Sequence, residues 1–278
     1  MSWRLLLDGA ARGAWNMAVD EALVEAVEAS ASPPVLRFYR WSPPCLSLGA
    51  SQPYAAADAK FCAAHGVDVV RRPTGGRAVL HHHELTYLVA APLGHPPLGR
   101  ELQGAYTSIC RALVAGLRRL GVDARLAAGV AGQPLIRPTQ AIPCFVGPAP
   151  GEIVIGERKL VGSAMRRVGG SILQHGSILL DWDGALQAGA LGLPDDRALR
   201  TAVVTLAEVL TQLPPDEQLA TALVAGFSEV LGVEFEAAAL SPAEAARAAQ
   251  LEFDRYASPR WTVERRREAG GAILASPG

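Results

Sequence analysis

The order of its predicted elements places this sequence in the α+β class, with mixed, largely antiparallel sheets flanked by helices. Apolar residues recur every three or four positions in 13–29 and in 101–120, which indicates helices with one buried face. Short apolar runs separated by Gly and Pro lie between and after these segments, which indicates strands joined by hairpins. Helices and strands are therefore partly segregated along the chain, and a doubly wound parallel sheet is not expected.

The first half of the chain supplies most of the predicted strands. In the helix over 13–29, Trp15, Val19 and Leu23 share one face. A second, shorter helix is predicted over 54–64. Apolar runs bounded by turn residues predict strands at 35–39, 45–48, 67–70, 78–80 and 85–90.

The second half begins with the clearest helix and ends in further helices. One apolar stripe runs through 101–120, and Gly121 ends it. Strands are predicted at 152–155, 159–165 and 171–179. Helical patterns cover 197–211, 214–230 and 242–256, whereas the tail beyond 258 is expected to be weakly structured.

Composition excludes several classes of protein. The chain has 278 residues, of which 50% are hydrophobic and 19% charged, so it can bury a core and is not disordered. A net charge of −1 argues against a general nucleic-acid binder, which needs many uncompensated Lys and Arg residues. No apolar run approaches the roughly 20 residues of a membrane helix, and Asp8 interrupts the start that a signal peptide would need. The four cysteines show no C-x-x-C pairing, which predicts a cytoplasmic enzyme with reduced thiols.

One long stretch, 129–151, departs from regular structure. It contains nine Gly or Pro residues, and ordered loops of this length are usually functional. Cys144 lies inside it, and a reactive thiolate needs a nearby cation or base. Lys159, one of only two lysines in the chain, is a candidate cation in the following apolar strand. On the residues alone, the alternative is that Cys144 is a small hydrophobe and Lys159 a surface charge.

Two glycines follow a pair of arginines in the segment Arg71-Arg72-Pro73-Thr74-Gly75-Gly76-Arg77. Glycine permits positive φ and close backbone approach, and exposed N–H groups beside arginines make a site for an anion or a carbonyl oxygen. An ordinary hairpin turn with solvated arginines is the alternative, and the pattern alone does not decide between them. The segment matches neither G-x-x-x-x-G-K-[ST] nor G-x-G-x-x-G, so neither phosphate-binding fingerprint applies.

Histidines mark two further candidates. In His81-His82-His83 the first and third share a strand face, but only His95 and His175 follow them and neither completes a ligand pattern, so no metal site is expected. These residues are interpreted as edge or pocket-lining side chains. The polar patch Gln174-His175-Gly176-Ser177 interrupts an apolar strand, which indicates either a site or a β-bulge whose polar groups are satisfied by neighbours.

Together these segments resemble the lipoate–protein ligase and octanoyltransferase superfamily, whose catalytic domain is related to that of biotin–protein ligase. The resemblance spans roughly residues 1–220 and rests on blocks in family-like order. These blocks are Asn16-Met17-Ala18-Val19-Asp20-Glu21-Ala22, Arg71 to His81 followed by Glu84-Leu85-Thr86-Tyr87, Lys159 to Ala164, and Leu173 to Leu179. The resemblance implies a biotin/lipoate ligase-like catalytic domain over 1–234 and a short helical C-terminal appendage over 235–278.

The residue types at particular positions in these blocks distinguish branches of the superfamily. ATP-dependent ligases typically carry Gly where this chain has Arg77. Pro143-Cys144-Phe145 lies where one octanoyltransferase branch keeps a nucleophile upstream of its conserved lysine, and no cysteine follows residue 144, which disfavours the branch with a downstream cysteine. An amidotransferase-type relative, which moves octanoyl between lipoyl domains, is a less favoured activity because the sequence of its glycine loop differs. A silent carrier that only binds is the least favoured, because both Cys144 and Lys159 are intact.

The resemblance implies ping-pong acyl transfer in lipoate biosynthesis. Cys144 would accept octanoyl from octanoyl-acyl carrier protein and pass it to one lysine of a lipoyl-domain protein, such as the glycine cleavage H protein or an E2 subunit. Lys159 would stabilise the acyl carbonyl oxygen. The substrate-binding residues that the motifs imply are Arg72, Thr74, Gly75, Gly76, Arg77, His81, Gly162, Ser163, Ala164, Gln174 and His175.

The same resemblance carries expectations about partners and cofactors. No metal, cofactor, nucleic acid or membrane is implied, and the acidic carriers would be steered by local arginines, namely Arg71, Arg77, Arg158, Arg166 and Arg167. The alternative activity is an ATP-dependent lipoate–protein ligase that acts through lipoyl-AMP and needs ATP and Mg²⁺.

Overall fold

A mixed sheet forms the centre of the molecule in the computed structural model, which describes residues 2–127 and 151–265. Its strands and those of a smaller sheet are, in chain order, β1 (Ser2–Ala11), β2 (Val35–Trp41), β3 (Cys45–Leu48), β4 (Asp68–Arg71), β5 (Val79–His81), β6 (Glu84–Pro92), β7 (Arg125–Leu126), β8 (Ile153–Ile155), β9 (Arg158–Val168), β10 (Ser171–Leu179) and β11 (Glu234–Ala237).

Strand pairing confirms the predicted mixed, largely antiparallel arrangement. Within the described residues the large sheet has the order β11-β1-β2-β6-β10-β9-β8-β7, and the small sheet has the order β4-β3-β5. Strand β1 is parallel to both β11 and β2, and β3 is parallel to β4. The remaining pairs in the two sheets are antiparallel.

Helices cover both faces of the large sheet. In chain order they are α1 (Gly13–Glu28), α2 (Ala59–Ala64), α3 (Leu102–Arg119), α4 (Gly184–Ala190), α5 (Arg197–Ala202), α6 (Leu206–Val209), α7 (Asp216–Leu231), α8 (Pro242–Leu251) and α9 (Pro259–Thr262). A 3₁₀ turn at Tyr54–Ala56 precedes α2, and a wider π turn at Glu252–Tyr256 follows α8. No helix among the described residues is both long and apolar enough to cross a membrane.

Alternation along the central strands divides the core into two layers. Tyr87 and Val89 of β6 pack with α3 and α7 on one face, whereas Leu88 and Ala90 pack with α1 and α8 on the other. The central strands are buried on both faces, and β6 is apolar from Tyr87 to Pro92, whereas β10 carries buried polar residues at its centre. Buried polar residues of the candidate site lie on both faces of the sheet.

Helices α3 and α7 approach each other unusually closely at a pair of glycines. A Cβ on Gly116 would lie 2.6 Å from the Leu223 Cα, and one on Gly226 would lie 2.2 Å from the Gly116 backbone nitrogen. Larger residues at either position would separate the helices, so these glycines set the thickness of the layer above the sheet.

Several predicted elements differ from the observed ones. Strands β1, β7 and β11 were not predicted; β7 and β11 are the two edges of the large sheet. The single helix expected over 197–211 is wrong, because the chain is extended between α5 and α6, where the Val204 N–H donates to the Lys159 carbonyl oxygen at 3.0 Å. The tail beyond 258 is not weakly structured as far as residue 265: α9 forms there, and Trp261 is only 4% exposed.

The last described segment is tied to the start of the chain by ion pairs. Arg4 contacts Glu244 at 2.6 Å, and Arg255 contacts Glu21 at 2.6 Å. Strand β11, which begins at residue 234, pairs with β1, so residues before and after position 234 form part of the same sheet. A division into 1–234 and 235–278 stays a prediction.

Candidate active site

The glycine loop between β4 and β5 lies against the middle of the large sheet. Thr74 Oγ1 is 2.7 Å from His175 Nε2 on β10, and Arg166 Nη1 on β9 donates to the Pro73 carbonyl oxygen at 3.3 Å. Two of the sequence blocks, around Thr74 and His175, are therefore in direct contact. Strand β9, which carries the block from Lys159 to Ala164, contacts the loop through Arg166, so the three segments form one site.

Arg72 organises this loop from the inside. It is buried, and its Nη2 donates to the carbonyl oxygens of Gly75 at 2.8 Å and Arg77 at 2.7 Å. Gly76 has a φ of 93°, which only glycine adopts without strain. An added Cβ at Gly75 would meet nothing within 4 Å, so the outer side of the turn is open. The loop is thus a braced turn with an accessible glycine rather than a hairpin with solvated arginines.

Arg71 does not have the steering role expected of it. Its side chain is fully buried and donates to the carbonyl oxygens of Gly49 at 2.8 Å, Gln52 at 2.7 Å and Thr262 at 2.7 Å. Burial lowers the pKa of this guanidinium below its ordinary value. Arg71 is a structural link between the loop, the chain after β3 and α9, because a group enclosed by backbone cannot attract a partner at a distance.

Two histidines support the loop with both ring nitrogens. His175 Nδ1 is 3.0 Å from Asp20 Oδ2 on α1, and burial lowers the pKa of His175. The neutral ring therefore donates from Nδ1 to the carboxylate and accepts at Nε2 from the Thr74 hydroxyl. His81 forms a similar relay, with Nδ1 2.7 Å from Glu84 Oε1 and Nε2 2.7 Å from Ser47 Oγ. His175 contacts the loop directly, whereas His81 reaches it through Ser47 Oγ, which accepts from Arg72 Nη1 at 3.1 Å.

The opposite face of β9 and β10 carries a second polar network. Tyr87 OH lies 2.7 Å from Ser163 Oγ and accepts from Gln174 Nε2 at 2.8 Å. Gln174 Oε1 is buried and has no hydrogen-bond partner among the described residues. Ala164 pairs with His175 across the ladder, half-buried between the two networks. An unsatisfied amide oxygen is costly, so Gln174 offers an acceptor to a group from outside the described residues.

Lys159 lies at the end of this face and is only 3% exposed. Its Nζ is 2.6 Å from Glu152 Oε1, an ion pair across the β8–β9 hairpin. A Cβ on Gly162 would lie 3.1 Å from Lys159 Cε and 3.4 Å from Nζ, so the lysine stem rests against the glycine backbone. Lys159 is therefore a buried cation and not a surface charge. Glu152 was not selected from the sequence, because only the hairpin register brings it to the lysine.

Cys144 lies outside the described residues, and its contacts are not part of this structure. The chain before and after its segment is fixed, however. The Ala127 N–H donates to the Glu152 carbonyl oxygen at 2.8 Å, and the Gly151 N–H donates to the Ala127 carbonyl oxygen at 3.2 Å. The segment that carries Cys144 therefore leaves and rejoins the fold beside Glu152, the partner of Lys159.

The described cysteines are poor nucleophiles. Cys45, Cys62 and Cys110 are buried free thiols. Burial raises the pKa of each, in the case of Cys110 to about 12. A thiol with such a pKa is almost entirely protonated at neutral pH and reacts slowly.

This combination of fold and site defines a known class of acyl-transferring domain. The chain belongs to the family of lipoyl protein ligase A/B catalytic domains, whose profile matches residues 12–228. Among solved structures, it is similar to a lipoate-protein ligase A bound with ATP, with a TM-score of 0.79 and 26% identity over 96% of this chain and 100% of that one.

More similar sequences carry a narrower name. Octanoyltransferase LipM from Kyrpidia tusciae is 40% identical over 274 residues, which cover 95% of this chain and 99% of the relative. Octanoyltransferase LipM from Geobacillus kaustophilus is 36% identical over 95% of this chain and 98% of the relative. The resemblance inferred from the motif blocks is confirmed, and so is the biotin/lipoate ligase-like α+β fold.

Proposed function

We propose that this chain is an octanoyltransferase of lipoate biosynthesis, which moves octanoyl from octanoyl-acyl carrier protein to a lysine of a lipoyl-domain protein through a thioester on Cys144. The observation that carries the proposal is the buried Lys159–Glu152 pair, located where the segment bearing Cys144 joins the fold. Near-full-length similarity to octanoyltransferases supports the same activity. These relatives do not favour the ATP-dependent ligase alternative.

In the first half-reaction the Cys144 thiolate attacks the thioester carbonyl of the donor. A carbon–sulfur bond forms to Cys144, the bond to the carrier's sulfur breaks, and the departing thiolate takes a proton. The Lys159 ammonium, held in a nearly dry site, stabilises the negative charge that develops on the carbonyl oxygen. Cys144 is seven residues before Gly151, and a chain of that length spans at most about 25 Å, so its tether permits the approach.

In the second half-reaction the acceptor lysine attacks the octanoyl thioester as a neutral amine. A carbon–nitrogen bond forms, the Cys144 thiolate leaves, and the amine loses one proton. Glu152 lies 2.6 Å from Lys159 Nζ and is a suitable base for that proton. A thioester is already activated, so neither half-reaction requires ATP, Mg²⁺ or another cofactor.

Some of the proposed substrate-binding residues contact the acyl group, whereas others support the glycine loop. Gly75 faces open space, and the Gln174 amide oxygen has no hydrogen-bond partner among the described residues, so both are proposed to meet the acyl group. Gly162 is proposed to act through Lys159, because the lysine stem rests against it. Arg72 and His175 are proposed to hold the loop that presents Gly75, because their polar atoms bond to the protein.

The macromolecular partners are proposed to be an acyl carrier protein as donor, and H protein or E2 lipoyl domains as acceptors. Both classes are generally acidic, and Arg167 is exposed on β9 with Arg166 beside it, so this edge is the proposed approach. We place the reaction in the cytoplasm, where free thiols such as Cys62 stay reduced.

The test is incubation of the full chain with octanoyl-acyl carrier protein, followed by mass spectrometry of its peptides. Octanoyl should appear on Cys144, transfer to an apo H protein should follow, and Cys144→Ala should abolish both. Cys62→Ala, a buried cysteine with a raised pKa, is the matched control and should keep activity. Full transfer by Cys144→Ala, or lipoylation that depends on lipoate and ATP, would refute the proposal.

A further inference from the structure

A cluster of metal-ligating side chains lies outside the residues assigned to acyl transfer. His82 and His83 form the turn between β5 and β6, and Asp183 immediately precedes α4. One ring nitrogen of each histidine and one carboxylate oxygen of Asp183 all lie within 4.8 Å of one another. No third ligand for the histidine run was predicted from the sequence, and Asp183, a hundred residues downstream, lies beside it in the fold.

The backbone holds these three side chains in place. The His83 carbonyl oxygen accepts from the Leu180 N–H at 2.9 Å and the Asp181 N–H at 3.2 Å, which fixes the turn to the chain after β10. Asp183 Oδ1 accepts from the Leu186 N–H at 2.9 Å and so caps α4. A carboxylate has lone pairs for several partners, so capping the helix and binding an ion are compatible.

The two histidine rings lie side by side, and one of their nitrogens has no partner among the described residues. Their centroids are 3.8 Å apart with an interplanar angle of 31°, and His82 Nδ1 is buried without a hydrogen-bond partner among the described residues. A buried ring nitrogen in that state is unfavourable, and an ion would satisfy the ligand set. His81 is not part of this cluster, since Ser47 and Glu84 occupy its two nitrogens.

We propose that His82, His83 and Asp183 bind one divalent transition-metal ion of the zinc type. Two imidazole nitrogens and one carboxylate oxygen suit Zn²⁺ or Co²⁺, whereas Mg²⁺ prefers oxygen ligands alone. Tetrahedral zinc places its ligand atoms roughly 3.4 Å apart, which small side-chain rotations achieve from the observed spacing. His83 is exposed, so the ion has access and water completes its coordination. The ion would link the β5–β6 turn to α4.

The experiment is a calorimetric titration of the full chain with Zn²⁺, repeated with His83→Ala and Asp183→Asn. Asn retains the helix cap but removes the charge. Wild type should bind one ion, each variant should bind at least tenfold more weakly, and Mg²⁺ should give no heat. His65→Ala removes another exposed histidine, which contacts the Phe61 carbonyl oxygen at 2.9 Å, and should bind Zn²⁺ as wild type does.

Cobalt spectroscopy distinguishes this site from the cysteines. Co²⁺ held by nitrogen and oxygen should show visible d–d bands without an intense thiolate charge-transfer band. A thiolate band, which Cys144→Ser removes, would place the ion on Cys144 and overturn the proposal. Unchanged Zn²⁺ affinity in both His83→Ala and Asp183→Asn, or no binding by wild type, would overturn it equally.

Discussion

The substitution Gly162→Ala tests whether the position of Lys159 controls the rate. The new Cβ would lie 3.1 Å from Lys159 Cε, closer than the usual carbon–carbon contact of about 3.5–4.0 Å, so the lysine end moves by roughly half an ångström. A 1 Å misplacement of a catalytic group costs about a hundredfold in rate, so we expect about a tenfold loss, or about 1.4 kcal/mol. Stability should change by less than about 1 kcal/mol, because removing a strand glycine offsets the tighter contact.

The assay is single-turnover transfer of octanoyl from the preformed acyl-enzyme to an apo H protein, with urea unfolding of the same preparations. Gly9→Ala is the matched control, since this glycine is also in a strand and an added Cβ meets nothing within 4 Å. A Gly162→Ala rate within twofold of Gly9→Ala, at equal stability, would show that the lysine position is not rate-determining.

Three further predictions concern stability. Burial lowers the pKa of His175 from 6.5, so its contribution to stability is complete above pH 6.5 and declines as pH falls. His175→Asn should therefore flatten the dependence of unfolding free energy on pH between 7.5 and 5.5. An unchanged slope would contradict this. Trp261→Phe removes the hydrogen bond from the indole N–H to the buried Arg71 carbonyl oxygen (2.8 Å) and should cost about 1–3 kcal/mol in urea unfolding. The KM for the donor should also rise. Wild-type values for both would refute the connection between Trp261 and the glycine loop. Burial raises the pKa of Glu208, but hydrogen bonds from Arg200 and Arg158 lower it to about 2. The destabilisation caused by Glu208→Gln should therefore shrink as pH falls from 4.5 towards 2. A difference in unfolding free energy that stays constant with pH would contradict the ion pairs.

Local patterns were sufficient for the central strands and the longest helices. The run over 171–179 is β10 (Ser171–Leu179) residue for residue, and the stripe over 101–120 is α3 (Leu102–Arg119) within one residue at each end. In these segments propensity, periodicity and end signals agree, which is why the sequence alone places them.

Features that depend on distant partners could not be predicted. Strand β1 becomes an element because β2 and β11 pair with it, and β11 is more than 200 residues away. The helical pattern over 197–211 is interrupted because Val204 must be extended to reach Lys159. The ion pair of Glu152 and the convergence of His82 with Asp183 are likewise products of tertiary register.

The N-terminal motif block contacts other elements of the fold through Asp20 and Glu21. Asp20 on α1 accepts from Arg37 Nη1 at 2.8 Å and from the Tyr39 hydroxyl at 2.8 Å, as well as bonding to His175. Glu21, one residue on, accepts from Arg255 and so holds the chain that leads to α9. Helix α1 thereby connects β10 to the C-terminal segment.

Both ends of the glycine loop are consequently fixed by distant parts of the chain. The Arg71 end is clamped by Trp261 and Thr262, and the Thr74 end is bonded to His175. Between them Gly75 faces open space. Donors that stabilise a developing oxyanion are effective when they need no rearrangement as charge appears. In the proposed function, a rigid frame around Gly75 supplies that condition in addition to Lys159, and residues as distant as 20 and 261 contribute by holding the frame.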